Sequence, residues 1–388
     1  MHKNIWIAYI LTCLKNSWFW MGIWVFYYLK FTDYAGIGLI ETSLIIAMTL
    51  SEVPTGVVAD LFGKKFTLTI AFVLQAIGMS MLAFAPHVSW IIVGVFIAGV
   101  GGSFYSGALD ALVYDSLKEV GKENTFDKVV EKMTGISLVT PAVAGILGGF
   151  FYYVEPNLPF ILNTICYIAA IPFTFFLIEP KVETIGVSVK GFVTQTVSGM
   201  RELFKTRFLT EQTLLLVGVG AISVICLEML NDFLGVEFGF KPAQLAIVWS
   251  ILYVLCALIS QTTGYLRKYI SYEKMGILLG ILIGITLIVS PIGGIILGGL
   301  SLAFRAFFQT AYLNVSSVLI NEHIDSKYRT TTLSSFNLLK NIPYVLTAYF
   351  LGAFADKFTA SWLACILGVA LLLFIVPQAF LYAKRRML

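Results

Sequence analysis

Polar residues along this chain fall in short clusters, and between the clusters run apolar stretches long enough to cross a bilayer. Cutting the chain at those clusters leaves twelve stretches, near residues 4–29, 37–57, 66–85, 89–114, 133–153, 159–178, 208–231, 243–265, 275–291, 293–318, 331–353 and 361–382. Each is about 17–26 residues, enough to span about 30 Å of hydrocarbon at about 1.5 Å per residue. Glycine and proline inside the stretches do not argue against helix, because membrane helices tolerate both. The pattern predicts an all-α membrane protein with twelve transmembrane helices. The longest polar stretch, 179–207, separates an N-terminal six-helix bundle (1–178) from a C-terminal one (208–388). Within that linker Val193, Val197, Met200 and Phe204 recur at helical spacing opposite Lys190, Gln195, Arg201, Glu202 and Lys205. This predicts an amphipathic helix on the inner leaflet; a plain solvated linker is the alternative.

Charge sets the orientation. With both termini cytoplasmic, the inner connections hold twenty basic residues and the outer ones hold three, Lys30, Lys241 and Lys357. The inner set runs from Lys3 through Lys64, Lys65, Lys118, Lys122, Lys128, Lys132, Lys181, Lys190, Arg201, Lys205, Arg207, Arg267, Lys268, Lys274, Lys327 and Arg329 to Lys384, Arg385 and Arg386. That asymmetry obeys the positive-inside rule and supports the count, because one miscounted helix inverts every later loop. The expected location is the cytoplasmic membrane. The first apolar run carries no small-residue cleavage site, so no signal peptide is expected.

Composition narrows the class. The chain is 58% hydrophobic and 12% charged, against about 25% charged in soluble domains, and its mean hydropathy is +0.87. These values exclude a cytosolic enzyme, a disordered protein and a disulfide-stapled secreted domain. A net charge of +4, sorted by membrane side, excludes a nucleic-acid binder. Cys13, Cys166, Cys226, Cys256 and Cys365 all lie in apolar runs without CxxC spacing, where cysteine packs as a small hydrophobe. His2, His87 and His323 are terminal or in short connections, so neither a metal site nor a cofactor is expected. No GxxxxGK[ST] loop is present, which leaves an ion gradient or the substrate's own gradient as the energy source.

Several ionisable residues sit inside the apolar runs. Lys15 lies about 16 Å from the inner end of the first, Arg305 and Lys340 lie well inside the tenth and eleventh, Asp110 is nearer the inner face and Glu228 nearer the outer one. Three mid-membrane cations facing lipid cost about 8–10 kcal/mol together, so they must face protein or water. Lys15 with Asn16, and Arg305 with Gln309 one turn on, each set a cation beside an amide, a combination suited to an anionic or zwitterionic group. Lys340 and Asn341, just before Pro343, join them. Two readings stand side by side: Lys15 or Arg305 neutralises Asp110 as a structural pair while Glu228 snorkels outward, or these groups bind substrate and coupling ion. Trp18, Trp20, Trp24, Tyr105 and Tyr312 offer a stacking-capable wall or an interfacial belt. Small residues recur every four positions at Gly94, Ala98, Gly102 and Ser106, and at Gly276, Gly280 and Gly284, which predicts close helix contacts.

Between the second and third spans the chain reads Gly56-Val-Val-Ala-Asp60-Leu-Phe-Gly63-Lys64-Lys65. This resembles the loop signature of the major facilitator superfamily, on the expected side, and with the six-plus-six division the resemblance covers the whole chain. Glu52-Val-Pro54-Thr-Gly56 is similar to the version in multidrug-efflux-like members. Pro141-Ala-Val-Ala-Gly145-Ile-Leu-Gly148-Gly149 is similar to the helix-bending antiporter motif, with Thr140 where the family has glycine. The resemblance implies the major facilitator fold, two pseudo-symmetric six-helix bundles. It also implies that the first, fourth, seventh and tenth helices line a central cavity, where Lys15, Asp110, Glu228 and Arg305 fall one on each. It implies that the loop is a conformational latch, with Lys64 and Lys65 reaching Asp115. Glycine at 56 and 63 allows a tight turn, and Asp60 is placed to accept backbone donors or sit at a helix start.

Two departures stand out: the fourth span lacks the arginine of many proton-coupled members, and the second-half loop, Gly264-Tyr-Leu-Arg267-Lys268, is a degenerate copy. The expectation is a monomeric secondary transporter working by alternating access, exporting an amphipathic small molecule in exchange for protons carried by Asp110, then Glu228. Uptake or exchange of an organic anion on Lys15 and Arg305 is the alternative, and a membrane receptor or lipid-handling protein is the alternative of another class.

Overall fold

The computed structural model describes residues 2–180, 189–260, 265, 268–322, 324 and 329–385. Lys181, Gly264, Leu266, Arg267, His323, Lys327 and Arg386 lie outside the described residues, as do the side chains of Lys190, Val193, Gln195, Arg329, Lys384 and Arg385. Among the described residues there is no strand.

The first apolar run is not one helix. It forms α1 (His2–Lys15), an irregular turn through Asn16–Ile23, and the short α2 (Trp24–Tyr28). There follow α3 (Tyr34–Phe62), α4 (Lys64–Ala83), α5 (Val88–Tyr105), α6 (Ala108–Lys118), α7 (Phe126–Val154), α8 (Leu158–Phe175) and the linker helix α9 (Val189–Leu203). The second half holds α10 (Arg207–Ile225), a π-helical stretch (Cys226–Leu230), α11 (Asn231–Glu237), α12 (Pro242–Ser260), α13 (Tyr272–Ile288), α14 (Ile295–Glu322), α15 (Arg329–Lys357) and α16 (Ala360–Arg385). Nine helical stretches among the described residues are long and apolar enough to cross a membrane. The first, eighth and ninth expected spans fall short of that length: α1 stops after 14 residues, the apolar part of α12 is Pro242–Leu258, and α13 has 17 residues.

The chain divides into two compact units: 1–31, 39–192 and 242–254 in unit 1, and 32–38, 193–241 and 255–388 in unit 2. Most of each comes from one half of the sequence, but α3 begins in unit 2 and α12 begins in unit 1.

In unit 1 the small residues act as contact surfaces. A Cβ on Gly78 of α4 would meet the Gly94 carbonyl of α5 at 2.4 Å, so those backbones touch as the four-residue spacing predicts. The glycines after Pro141 form another such face on the uninterrupted α7. A Cβ on Gly148 would lie 1.7 Å from the Phe19 carbonyl, and one on Gly149 would lie 2.9 Å from Ala243. This face seats the unwound segment after α1 and the first turn of α12. One residue, Gly63 at φ +87°, joins α3 to α4, a left-handed turn that favours glycine.

Unit 2 uses the same device between α13 and α16, where Gly284 and Gly368 approach backbone to backbone. Asp356, near the end of α15, accepts hydrogen bonds from the Tyr34 and Ala35 amides at 3.0 and 2.9 Å, capping the first turn of α3. The helix α9 rests on protein: Gly199 abuts the Thr331 carbonyl of α15 and Leu203 is buried.

Candidate functional site

The elements that carry the charged residues of unit 1 are broken beside them. α1 ends at Lys15, so the cation stands at the negative end of its helix dipole. The fourth run breaks at Ser106–Gly107, with Gly107 at φ +74°, and the new helix α6 holds Asp110 in its first turn, at the positive end of that dipole. Each break thus places a charge where the backbone favours its sign.

Lys15 Nζ lies 5.6 Å from the Tyr105 ring centre and 5.8 Å from that of Tyr167, within reach of a cation–π interaction. Asn163 of α8, fully buried, adjoins Tyr167. Lys15 forms no ion pair with a described residue of its unit, so the structural pair with Asp110 is not made, and Asp110 is exposed. Asn16 turns back on α1, donating to the Thr12 carbonyl at 2.8 Å. Trp18 and Trp20 stack at 5.7 Å, and Trp18 meets Tyr253 edge-on, while Trp24 is buried.

Unit 2 holds its cation differently. Arg305 lies inside the continuous helix α14 at 0% exposure. Its Nε donates to Asn231 Oδ1 at 2.8 Å and an Nη reaches the Thr286 carbonyl at 3.5 Å. Asn231 in turn donates to Gln309 Oε1 at 3.4 Å. The second Nη of Arg305 and the Nε2 of Gln309 are buried without a hydrogen-bond partner. No described carboxylate of the unit pairs with the guanidinium. Glu228 falls in the π-helical stretch Cys226–Leu230, a local widening that frequently marks functional sites, and it is close enough to Lys340 of α15 for the two charges to feel each other. Tyr312 spends its hydroxyl on the Leu216 carbonyl and is structural.

The loop signature sits in unit 1 as one construction. Lys64 is ion-paired to Asp115 of α6. Lys65 Nζ donates to the Phe175 carbonyl at 2.8 Å. The carboxylate that caps α4 is Glu179, whose two oxygens accept from the Lys64 and Lys65 amides at 2.7 Å each. Gly56 lies in α3 with open space around it, and Asp60 occupies the last turn of α3.

Sequence reasoning did not find Asn163, Tyr167, Asn231 or Glu179. The three within apolar runs are lone polar groups, which was the available signal; Glu179 looked like an ordinary loop acid. Among the described residues no cluster of potential ligands could hold a metal ion.

Comparison with known proteins now bears on this geometry. The sequence profile of the Major Facilitator Superfamily matches residues 5–345. An uncharacterized MFS-type transporter of Bacillus subtilis, YxaM, is 22% identical over 370 residues, covering 91% of this chain and 89% of the relative. A second, MJ1560 of Methanocaldococcus jannaschii, is 23% identical and covers 86% and 83%. Among solved structures, a variant of the nucleoside transporter NupG superposes with a TM-score of 0.79 at 17% identity, over 97% of this chain and 98% of that one, a likeness of fold. With a helical membrane architecture, a family profile spanning most of its length and relatives aligned nearly end to end, this chain belongs to the Major Facilitator Superfamily and is a multi-pass membrane transporter, not an enzyme.

Proposed function

We propose that this secondary transporter moves an amphipathic organic anion, or a zwitterion read through its anionic group, by alternating access. One observation carries the reading: each unit buries or half-buries a cation, Lys15 in one and Arg305 in the other, and neither is neutralised by a described carboxylate of its unit. A buried guanidinium with an unused Nη is costly unless an acceptor reaches it. A carboxylate or phosphate supplies that acceptor in the planar geometry that arginine matches best. The Tyr105 and Tyr167 rings around Lys15 suit an apolar body attached to such a group.

A thermal-shift screen of the purified protein against anionic, zwitterionic and cationic compounds tests this, since a ligand that binds only the native state raises the melting temperature. Anions should stabilise the protein and lose their effect in Arg305→Gln; stabilisation by cations alone would sink the reading.

Proton-coupled efflux of an amphipathic molecule is the second reading. It is favoured by Glu228 in its π-helical stretch against Lys340, a carboxylate whose proton affinity a moving neighbour can change. In proteoliposomes with an imposed pH gradient, substrate-dependent proton movement lost in Glu228→Gln or Asp110→Asn supports it. Flux indifferent to pH supports anion exchange. The Lys64–Asp115 pair, with Glu179 fixing the start of α4, supports a latch at the loop signature that transport must release. Under the positive-inside reading the termini are cytoplasmic and the protein sits in the cytoplasmic membrane as a monomer.

A further inference from the structure

Unit 2 holds a cavity away from its buried cation. A cavity of about 240 Å³ opens where the ends of α10, α13 and α14 meet α16, and neither Arg305 nor Lys340 lines it. Phe208, Glu211 and Gln212 come from the first turns of α10, Glu273 from the first turn of α13, Leu319 from the last turns of α14 and Gln378 from α16. Glu211 is held at 3.1 Å by Arg207, whose own side chain is 87% exposed. Glu273, half-buried at the cavity wall, has no ion-pair or hydrogen-bond partner among the described residues. Gln212 Nε2 is buried and also unpartnered.

These groups constrain an occupant. The uncompensated Glu273 carboxylate repels an anion, while Glu211 is already held by Arg207. A plain hydrocarbon would fill the apolar wall but strand Glu273 and Gln212 in an apolar setting, which is costly for polar groups. An ammonium satisfies the Glu273 carboxylate by a charge-assisted hydrogen bond. An oxygen close to the nitrogen accepts from Gln212, and an attached hydrocarbon chain lies along Phe208 and Leu319. We propose that this cavity binds the primary ammonium end of an amphiphile, with Glu273 as its counter-ion and with Gln212 Nε2 available to an oxygen near the nitrogen where the amphiphile carries one. The ammonium end is shared by an ethanolamine phospholipid and a free long-chain amine, and only the phospholipid also brings the oxygen that would accept from Gln212. The site is independent of the substrate proposed above, whose charge has the opposite sign.

The test uses the full-length protein in detergent and follows thermal unfolding with dodecylamine, dodecanol and dodecanoate. Dodecylamine should give a saturable stabilisation that the other two do not. Its apparent affinity should fall about tenfold in Glu273→Gln, the loss of one charge-assisted contact. Ile277→Trp, which fills the cavity, should abolish the effect, and Glu273→Gln keeps the test decisive if the tryptophan variant misfolds. Equal shifts from dodecylamine and dodecanol, or unchanged affinity in Glu273→Gln, would overturn the proposal. Native mass spectrometry from nanodiscs containing phosphatidylethanolamine and phosphatidylglycerol separates the sources. Retention of phosphatidylethanolamine that dodecylamine displaces supports the lipid, whereas dodecylamine binding without retained phosphatidylethanolamine supports the free amine. Neither result depends on whether an anion is transported, so failure here leaves the substrate reading standing and the reverse.

Discussion

The surroundings of Lys15 and Arg305 solve one problem in two ways. An ionised group at membrane depth must be compensated locally, because no water stands ready to solvate it. Unit 1 does this with backbone and rings. It stops α1 at Lys15, restarts a helix just before Asp110, and lays two tyrosine rings beside the lysine. Unit 2 keeps α14 whole and surrounds Arg305 with amide side chains and a carbonyl, leaving one Nη and the Gln309 amide nitrogen unused. The first arrangement is soft, since cation–π contacts and helix dipoles tolerate displacement. The second is rigid and directional, because hydrogen bonds fail when angles change. Under the proposed anion reading, the directional surroundings of Arg305 suit orienting an anionic group, and the softer surroundings of Lys15 suit attracting one.

The largest effect should come from Arg305→Gln. Losing a buried hydrogen-bonded charge weakens binding by about 2–5 kcal/mol, roughly 30-fold or more, whereas the protein should still insert and fold. An unchanged dissociation constant for stabilising anions in that variant would make the two surroundings equivalent and break the contrast.

Next in size is Gly148→Ala. Its methyl group would fall 1.7 Å from the Phe19 carbonyl, so the segment after Lys15 must shift at a cost of about 1–3 kcal/mol. Gly220→Ala, whose methyl meets the Lys340 side chain at 3.3 Å, should cost much less. Melting temperatures of the two variants rank them, and equal losses would show that the unwound segment is not held by α7.

Lys15→Met should weaken anion binding more modestly, by about 0.5–2 kcal/mol, the range of a cation–π contact and its charge. A steeper salt dependence of substrate on-rate in the wild type than in this variant would sharpen the role of Lys15 as attractor. The smallest effect belongs to Glu179→Gln. Removing one charge from the start of α4 should lower stability by about 0.3–1 kcal/mol at low ionic strength, read by thermal unfolding at two salt concentrations, with the difference shrinking at high salt. Asp115→Asn is read by function instead, and it should reduce transport if the latch reading holds.

Much of the fold was legible in the residues. Apolar runs marked the helices, and the loop signature at Gly56–Lys65 pointed to the family. The four-residue spacing of glycines anticipated contacts that α4 and α5 make. The interruptions were not legible. Within Asn16–Ile23 only Asn16, Ser17 and Gly22, which takes φ +76°, hint at a break, and Ser106–Gly107 looks like ordinary small-residue packing. In a run that is apolar all round, periodicity has no polar face against which a break would show. The candidate site was half visible. Lys15, Arg305 and Gln309 stood out as polar groups in oil, but their partners come from elsewhere in the chain: Tyr167 from α8, Asn231 from α11 and the Thr286 carbonyl from α13. Pairing Lys15 with Asp110 looked natural on charge alone. The structure instead gives each its own helix end.

The sequence alone determined that this chain lives in a membrane, that it is helical, which connections are basic and which side chains carry charge into the apolar layer. Those are properties of composition and spacing, fixed by the cost of exposing a backbone or a charge to hydrocarbon. Only the tertiary structure decided that α1 ends at Lys15, that Arg305 meets Asn231, and that Glu179 rather than Asp60 closes the start of α4. Such choices depend on which helices touch, and no local pattern encodes a contact between residues 74 or 115 positions apart.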